Sequence, residues 1–464
     1  MTYRIEKDSM GEMQVPAEAL YGAQTRRAEL NFPVSGWPMP PAFIQSMGRI
    51  KRAAARVNRD LGKLDPALAS VIEQAASEVV EGRLDGQFVV DVFQTGSGTS
   101  TNMNANEVIA NRAIQILGGT MGSRAVHPND HVNMGQSSND IIPAALHLAA
   151  ALGLQKDLLP ALSRLEEVLS EKARVFDGVM KIGRTHLQDA TPVRLGQVFS
   201  GYAGQIHNSR SRVEQALDGL GELPIGGTAV GTGINTHPEF GARMAAQLAQ
   251  ETGLNLREAA NHFEAQASKD AVVQAAATLK TLAVTLTKIA NDIRFLASGP
   301  RCGLGELELP ATQPGSSIMP GKVNPVICES VMQVAAYVVG ADAAIAYGTA
   351  ILSNFELSVA MPLMAHQLLE SIRLLSNVLR VFVENALEGL KANESRCEGL
   401  VEGSLALCTS LAPLVGYDTA AAVAKEAHAT GRTVREVARD KALLDPETLD
   451  RALDPRAMTE PEKV

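Results

Sequence analysis

ASKDAVVQAAATLKTLAVTLTKIANDIRFLA, residues 267–297, is the run whose spacing decides the fold. Val272, Ala276, Leu279, Ala283, Leu286, Ala290, Ile293 and Ala297 recur at alternating steps of four and three. Such a repeat is the seam of a coiled-coil-like helix bundle. At about 1.5 Å per residue the helix runs roughly 45 Å, longer than a small domain is wide. A second helical pattern extends from about Ile142 to Val175, with Pro160 predicting a kink. A third, from Cys328 to about Ala346, is rich in Ala, Val and Gly and lets neighbouring backbones approach closely. One chain's own loops cannot cover so much apolar helix surface. The periodicity therefore predicts an oligomer whose core is a shared helix bundle, with a monomer around a buried central bundle as the alternative.

Composition agrees. Aromatic residues are only 4% of the chain, with one tryptophan, Trp37, and Ala and Leu fill the gap. Both are strong helix formers with compact side chains. At 464 residues the chain exceeds one ordinary core. The segments 1–137, 138–361 and 362–464 read as an N-terminal mainly helical domain, a central long-helix domain and a small C-terminal helical domain. A mobile tail is expected after about Asp454.

Net charge is −9, from 42 basic and 51 acidic residues, with no basic run. That disfavours nucleic acid or an anionic membrane as partner. An anionic substrate would have to be met by locally concentrated donors. Cys302, Cys328, Cys397 and Cys408 stand far apart with no C-x-x-C pair, which argues for a reducing compartment and against a disulfide framework or zinc site. The N-terminus lacks the apolar core of a signal peptide, and apolar runs of membrane-spanning length are interrupted by charge or Gly. A cytoplasmic protein is expected.

Four polar stretches break the helical pattern: Gln94 to Asn104, His127 to Asp140, Lys181 to Gly196 and Gln313 to Pro325. In the last, Gly315 and Gly321 permit turns whose N–H groups converge on an anion. Lys322 adds a charge there, and Ser316, Ser317 and Asn324 add directional donors. The apolar pair Ile318–Met319 is costly on an exposed loop tip, which argues against an ordinary surface turn. His186 lies between Thr185 and Gln188–Asp189, and histidine is a residue type that can carry a proton; a structural histidine is the plainer alternative. Ser137 and Ser138 precede a helix starting near Ile141, with Asn139 or Asp140 as its N-cap, and a helix N-terminus attracts carboxylates. Thr95 to Asn102 repeats that chemistry. Pro128 argues against His127 and His131 pairing on a helix as metal ligands. No glycine fingerprint for a nucleotide, no P-loop and no G-x-S-x-G elbow is present.

Taken together, the four stretches resemble the fumarase/aspartase superfamily, whose signature matches Gly315 to Pro325. From about Tyr3 to Asp454 the chain is similar to class II fumarases. Related aspartases generally read Arg-Thr-Gln where this chain has Arg184-Thr185-His186, and Ser-Thr-Asn-Asp where it has Ser137 to Asp140. Phe93 to Thr99 and Gly226 to Gly233 also fit the fumarase pattern. The resemblance implies an all-α, three-domain fold with a central long-helix bundle shared in a homotetramer, and active sites built from loops of three subunits. It implies reversible hydration of fumarate to L-malate within the tricarboxylic acid cycle, without metal or cofactor. Ser316 resembles the base that removes the C3 proton, giving an aci-carboxylate. His186 resembles the acid for the C2 hydroxyl, and Glu329 the carboxylate that keeps that histidine poised. Ser97, Gly98, Thr99, Ser137, Ser138, Asn139, Thr185, Ser317, Lys322 and Asn324 match the residues that hold the substrate. Arg124, His127, Asn129 and Asp130 match a second dicarboxylate site near the surface. An aspartate ammonia-lyase or another lyase of the superfamily is the alternative, and an inactive helical scaffold a further one.

Overall fold

A computed structural model describes residues 2–461. The chain opens on an antiparallel hairpin of β1 (Tyr3–Asp8) and β2 (Gly11–Pro16). Helices α1 (Ala23–Asn31), α2 (Pro41–Asp60), α3 (Pro66–Val80), α4 (Thr99–Ile116) and α5 (Ser138–Gly153) follow. Next come α6 (Leu159–Val175), the hairpin β3 (Met180–Thr185) and β4 (Gln188–Arg194), and α7 (Leu195–Leu220). The parallel pair β5 (Glu222–Leu223) and β6 (Arg257–Glu258) brackets α8 (Phe240–Thr252). Then α9 (His262–Ala267), α10 (Asp270–Leu296), β7 (Leu307–Glu308) and α11 (Val326–Leu352) lead to a short hairpin, β8 (Ser353–Asn354) and β9 (Leu357–Ser358). After α12 (Met361–Phe382), β10 (Lys391–Ala392) pairs with β7. Helices α13 (Glu394–Glu402), α14 (Cys408–Val415), α15 (Tyr417–Thr430), α16 (Val434–Asp440) and α17 (Pro446–Ala452) close the chain. The architecture is all-helical in its core, as the spacing requires, and among the described residues the strands form two-stranded pairs.

Contacts group the residues into two compact units. The first runs up to Pro160 and takes in Ser209–Ala283 and Val334–Ser376. The second comprises Ala161–Asn208, Val284–Gln333 and the residues from Asn377 onward. Helices α7, α10, α11 and α12 each contribute residues to both.

The predicted seam is real. Val272, Ala276, Leu279, Ala283, Leu286, Ala290 and Ile293 are all buried along α10. A parallel stripe of Ala275, Leu282, Ile289 and Leu296 is buried too, so the apolar face is wider than a two-stranded seam. Ahead of Pro160 a π-helical turn spans Leu154–Leu158, and the Leu159 N–H donates to the Leu154 carbonyl five residues back. Proline has no N–H to give, and the widened turn in front of it absorbs that loss. One expectation needs correction: the tail is fastened further than Asp454. Arg194 donates to Thr459 Oγ1 at 2.8 Å, and Gln197 donates to the Thr459 carbonyl at 2.9 Å.

By length and composition α10 and α11 are apolar enough to cross a membrane, although Lys280 interrupts one, and Gly340 and Asp342 the other. Those charges meet in an ion pair, Lys280 Nζ to Asp342 Oδ2 at 2.5 Å. Much of the apolar surface of α11 stays uncovered: Tyr347 and Ile351 are exposed.

The C-terminal helices enclose their own cluster, with Val401, Leu411, Val423, Val437 and Leu449 buried against Ile182 of β3. Thr433 and Glu436 form a capping box at α16, and Asp445 caps α17.

Candidate active site

In the first unit, two helix N-termini carry the donors. Thr99 opens α4, preceded by Gly98 at φ 74°. That left-handed turn favours glycine, and a Cβ on Gly98 would lie 2.8 Å from the Ile142 side chain. Ser97 Oγ and Thr99 Oγ1 are 2.9 Å apart. At α5 the cap is Ser137, not Asn139 or Asp140: Ser137 Oγ accepts the Asn139 N–H at 3.2 Å, while Asp140 Oδ1 accepts the Ser137 N–H at 2.9 Å. This reciprocal arrangement satisfies two otherwise open donors. Ser138 Oγ accepts from Asn102 Nδ2 at 3.1 Å, which ties the start of α4 to the start of α5. Two helix N-termini held side by side present positive dipole ends and free N–H groups, an arrangement suited to carboxylates.

Beneath these termini lies a buried polar network that no motif in the sequence announces. Lys51 Nζ donates to Asn133 Oδ1 at 3.0 Å and to Gln136 Oε1 at 2.9 Å. Asn133 Oδ1 also accepts from Asn102 and Asn106. Burial lowers the Lys51 ammonium to about 7, opposed by the charge of Asp140. Burial likewise raises Asp140 to about 6, opposed by N–H bonds from Ser137, Thr228 and Gly226. One signal is present in α2: Lys51 occupies the position that follows Met47 and precedes Ala54 on a buried stripe. A charge there needs a polar partner inside. Asp140 also holds the Gly226–Gly233 loop, through the N–H groups of Gly226 (3.2 Å) and Thr228 (3.0 Å), and Asn139 donates to the Ala229 carbonyl at 2.8 Å.

In the second unit, His186 and Leu187 form the two-residue tip of the β3–β4 hairpin, both exposed, with φ of 55° and 60°. Positive φ at both central positions suits the right-handed twist of the flanking strands. Thr185 is the last residue of β3. The loop around Ser316 is closed by the Gly315 N–H on the Lys322 carbonyl at 2.8 Å and by Asn324 Nδ2 on the Gly315 carbonyl at 2.6 Å. Gly315 is required at that approach, since a Cβ would stand 2.6 Å from the Lys322 oxygen. Ser316 Oγ accepts two backbone N–H groups, from Met319 at 3.0 Å and Ile318 at 3.2 Å. Ser317, Lys322 and the apolar tip, Ile318 at 84% and Met319 at 48%, are exposed. Glu329 lies in the first turn of α11. Within the chain, among the described residues, it shares no hydrogen bond or ion pair with His186.

The comparisons with known proteins decide the family. A lyase family model matches residues 11–340, and a model of the fumarase C C-terminus matches residues 407–460. A class II fumarate hydratase from Halobacterium salinarum is 55% identical, over 98% of this chain and 97% of its own. One from Mycobacterium tuberculosis is 53% identical, over 100% of this chain and 97% of its own. The crystal structure of a class II fumarase from Schistosoma mansoni superposes with a TM-score of 0.96 at 39% identity, covering 100% of both chains.

The chain belongs to the class II fumarase family.

For a class II fumarase, the placement of the remaining expected residues is also of interest. Arg124, His127 and Asn129 line a cavity of about 380 Å³ with Glu6, Lys7 and Asn111. Asp130 is not among its lining residues. His127 caps a π-helical turn, Pro128–Val132, its Nδ1 accepting from the N–H groups of Asn129 and Asp130. Pro128 takes the first position of that turn, where its missing N–H costs nothing, and the His127 N–H donates to His131 Nδ1 at 2.9 Å. Among the described residues of this class II fumarase, no three His, Cys, Asp or Glu side chains cluster as metal ligands.

Proposed function

We propose that the protein interconverts fumarate and L-malate, with Ser316 as base and His186 as acid. In the dehydration of malate, Ser316 Oγ takes the C3 proton and the electron pair moves into the adjacent carboxylate, giving an aci-carboxylate. The C2 hydroxyl then leaves as water with a proton from His186, directly or through a water. The observation that carries this reading is the pair of N–H bonds on Ser316 Oγ. A serine hydroxyl is a weak base, and its alkoxide needs fixed donors aimed at the oxygen. The Ile318 and Met319 amides supply them, and the Lys322 ammonium in the same loop adds charge.

Thr99, Ser137, Ser138, Asn139, Thr185, Ser317, Lys322 and Asn324 are assigned to the two substrate carboxylates, with Ser97 and Gly98 shaping the α4 terminus. Arg124, His127, Asn129 and Asp130 are assigned to a second dicarboxylate site. The active unit is proposed to be a homotetramer, each site taking loops from three subunits and pairing Glu329 with the His186 of another copy. The uncovered apolar face of α11 and the exposed Ile318–Met319 tip support that assembly. Four unpaired cysteines support a cytoplasmic setting.

The test follows the ultraviolet absorbance of the fumarate double bond with malate and with aspartate, with a chelator present throughout. Fumarate from malate is expected. Fumarate from aspartate alone would assign an ammonia-lyase, and loss of turnover with the chelator would overturn the metal-free reaction.

A further inference from the structure

We propose that Glu306 is a positioning residue for catalysis, a buried carboxylate that sets the His186 hairpin tip through Arg184 and Lys181. The proposal rests on the reading of His186 as the acid.

Lys181 and Arg184 lie three residues apart on β3, and a regular strand would send them to opposite faces. The pairing register with β4 shifts between Ile182 and Arg184. Such a bulge resets the alternation. Gly183 stands at the shift, where a Cβ would come within 2.5 Å of the Thr191 carbonyl. Both cations consequently reach one oxygen: Arg184 Nη1 lies 2.7 Å and Lys181 Nζ 3.8 Å from Glu306 Oε2.

The backbone that carries this carboxylate is itself held in place. Glu306 has no exposed surface. Its N–H donates to the Leu296 carbonyl at 2.8 Å, and its carbonyl accepts the Asn393 N–H at 3.0 Å. These bonds fix it to the end of α10 and the start of α13. Ile182, between the two cations in sequence, is packed into the C-terminal cluster. The root of the hairpin is therefore rigid.

The tip is different. His186 and Leu187 hold left-handed backbone without glycine, a conformation that costs free energy and persists only when the surroundings impose it. Among the described residues the His186 side chain has no hydrogen-bond partner. Its direction is inherited from Arg184, two residues below, whose guanidinium is held on Glu306. An isosteric amide at 306 could accept from Arg184 but could not compensate the charges of the buried Lys181 and the half-buried Arg184.

The experiment uses the full-length enzyme with Glu306→Gln, Arg184→Lys and, as a control, His186→Asn, measuring kcat and KM for malate alongside circular dichroism and melting temperature. Folded Glu306→Gln and Arg184→Lys are each expected to lose about tenfold or more in kcat while KM stays within about twofold, the pattern of a displaced catalytic group. His186→Asn is expected to lose at least as much. Either positioning variant, folded and turning over at the wild-type kcat, overturns the proposal. So does a loss that tracks only the folded fraction, or a rise in KM alone. If Glu306→Gln does not fold, Arg184→Lys reads the same geometry with every charge retained. A wild-type kcat in His186→Asn refutes the acid assignment instead, whatever the other two variants do.

Discussion

The carboxamide of Asn102 donates to Ser138 Oγ across 3.1 Å, and this bond joins two helix N-termini into one edge. Asn102 is 1% exposed, so its loss is not repaired by water from outside. Asn102→Ala is expected to raise KM for malate about five- to thirtyfold, the cost of leaving a buried donor–acceptor pair broken. Steady-state kinetics check it; an unchanged KM would detach this edge from substrate binding.

Ser316→Ala removes the oxygen on which the Ile318 and Met319 amides converge. Turnover is expected to fall about a hundredfold or more with KM within about threefold, because the lost group acts on the transition state rather than on binding. Near-normal kcat in this variant would mean that another group takes the proton.

Lys51 gives a pH signature. Its ammonium is lowered to about 7 by burial, whereas the unfolded chain holds the proton to about 10.5. Between those values the unfolded state binds more protons than the folded one, so stability rises with pH and is lost as pH falls through about 7. Lys51→Met removes this slope. Melting temperatures of the two proteins at pH 7, 8 and 9 should show the wild type gaining on the variant as pH rises. Parallel curves would mean that Lys51 stays charged in the folded protein.

Tyr347 tests the assembly. It is 68% exposed on the apolar face of α11. Tyr347→Arg places a charge where a second copy would have to desolvate it. Light scattering after size exclusion is expected to show smaller species, and activity is expected to fall with the tetramer fraction. A fully assembled variant would place the subunit contact elsewhere.

The helical core is legible in the sequence because its information is periodic. The steps of four and three along Val272 to Ile293 are enough by themselves to name the buried face. The second stripe, Ala275 to Leu296, is hidden by the same alanine-rich composition that makes the helix. The loops are legible as chemistry but not as geometry. Ser137 and Asp140 cap α5 jointly, and choosing among four adjacent polar residues requires the backbone dihedrals. Lys51 and Glu306 are illegible for a different reason. Neither stands out among the charges beside it, Arg49 and Arg52 next to Lys51 and Glu308 next to Glu306, and the partners, Asn133 and Gln136 or Arg184 and Lys181, lie about 80 to 120 residues away. The hairpin under His186 escapes sequence reasoning because its turn contains no glycine.

The twin stripes of α10 also govern how this sequence can change over time. Each inserted or deleted residue would rotate everything beyond it by about 100° and carry both buried rows toward solvent. Substitution by residues of similar bulk is tolerated along such a helix, but a change in its length is not. A change in chain length is therefore expected to be tolerated in the connections, while the 27 residues from Asp270 to Leu296 act as a fixed ruler.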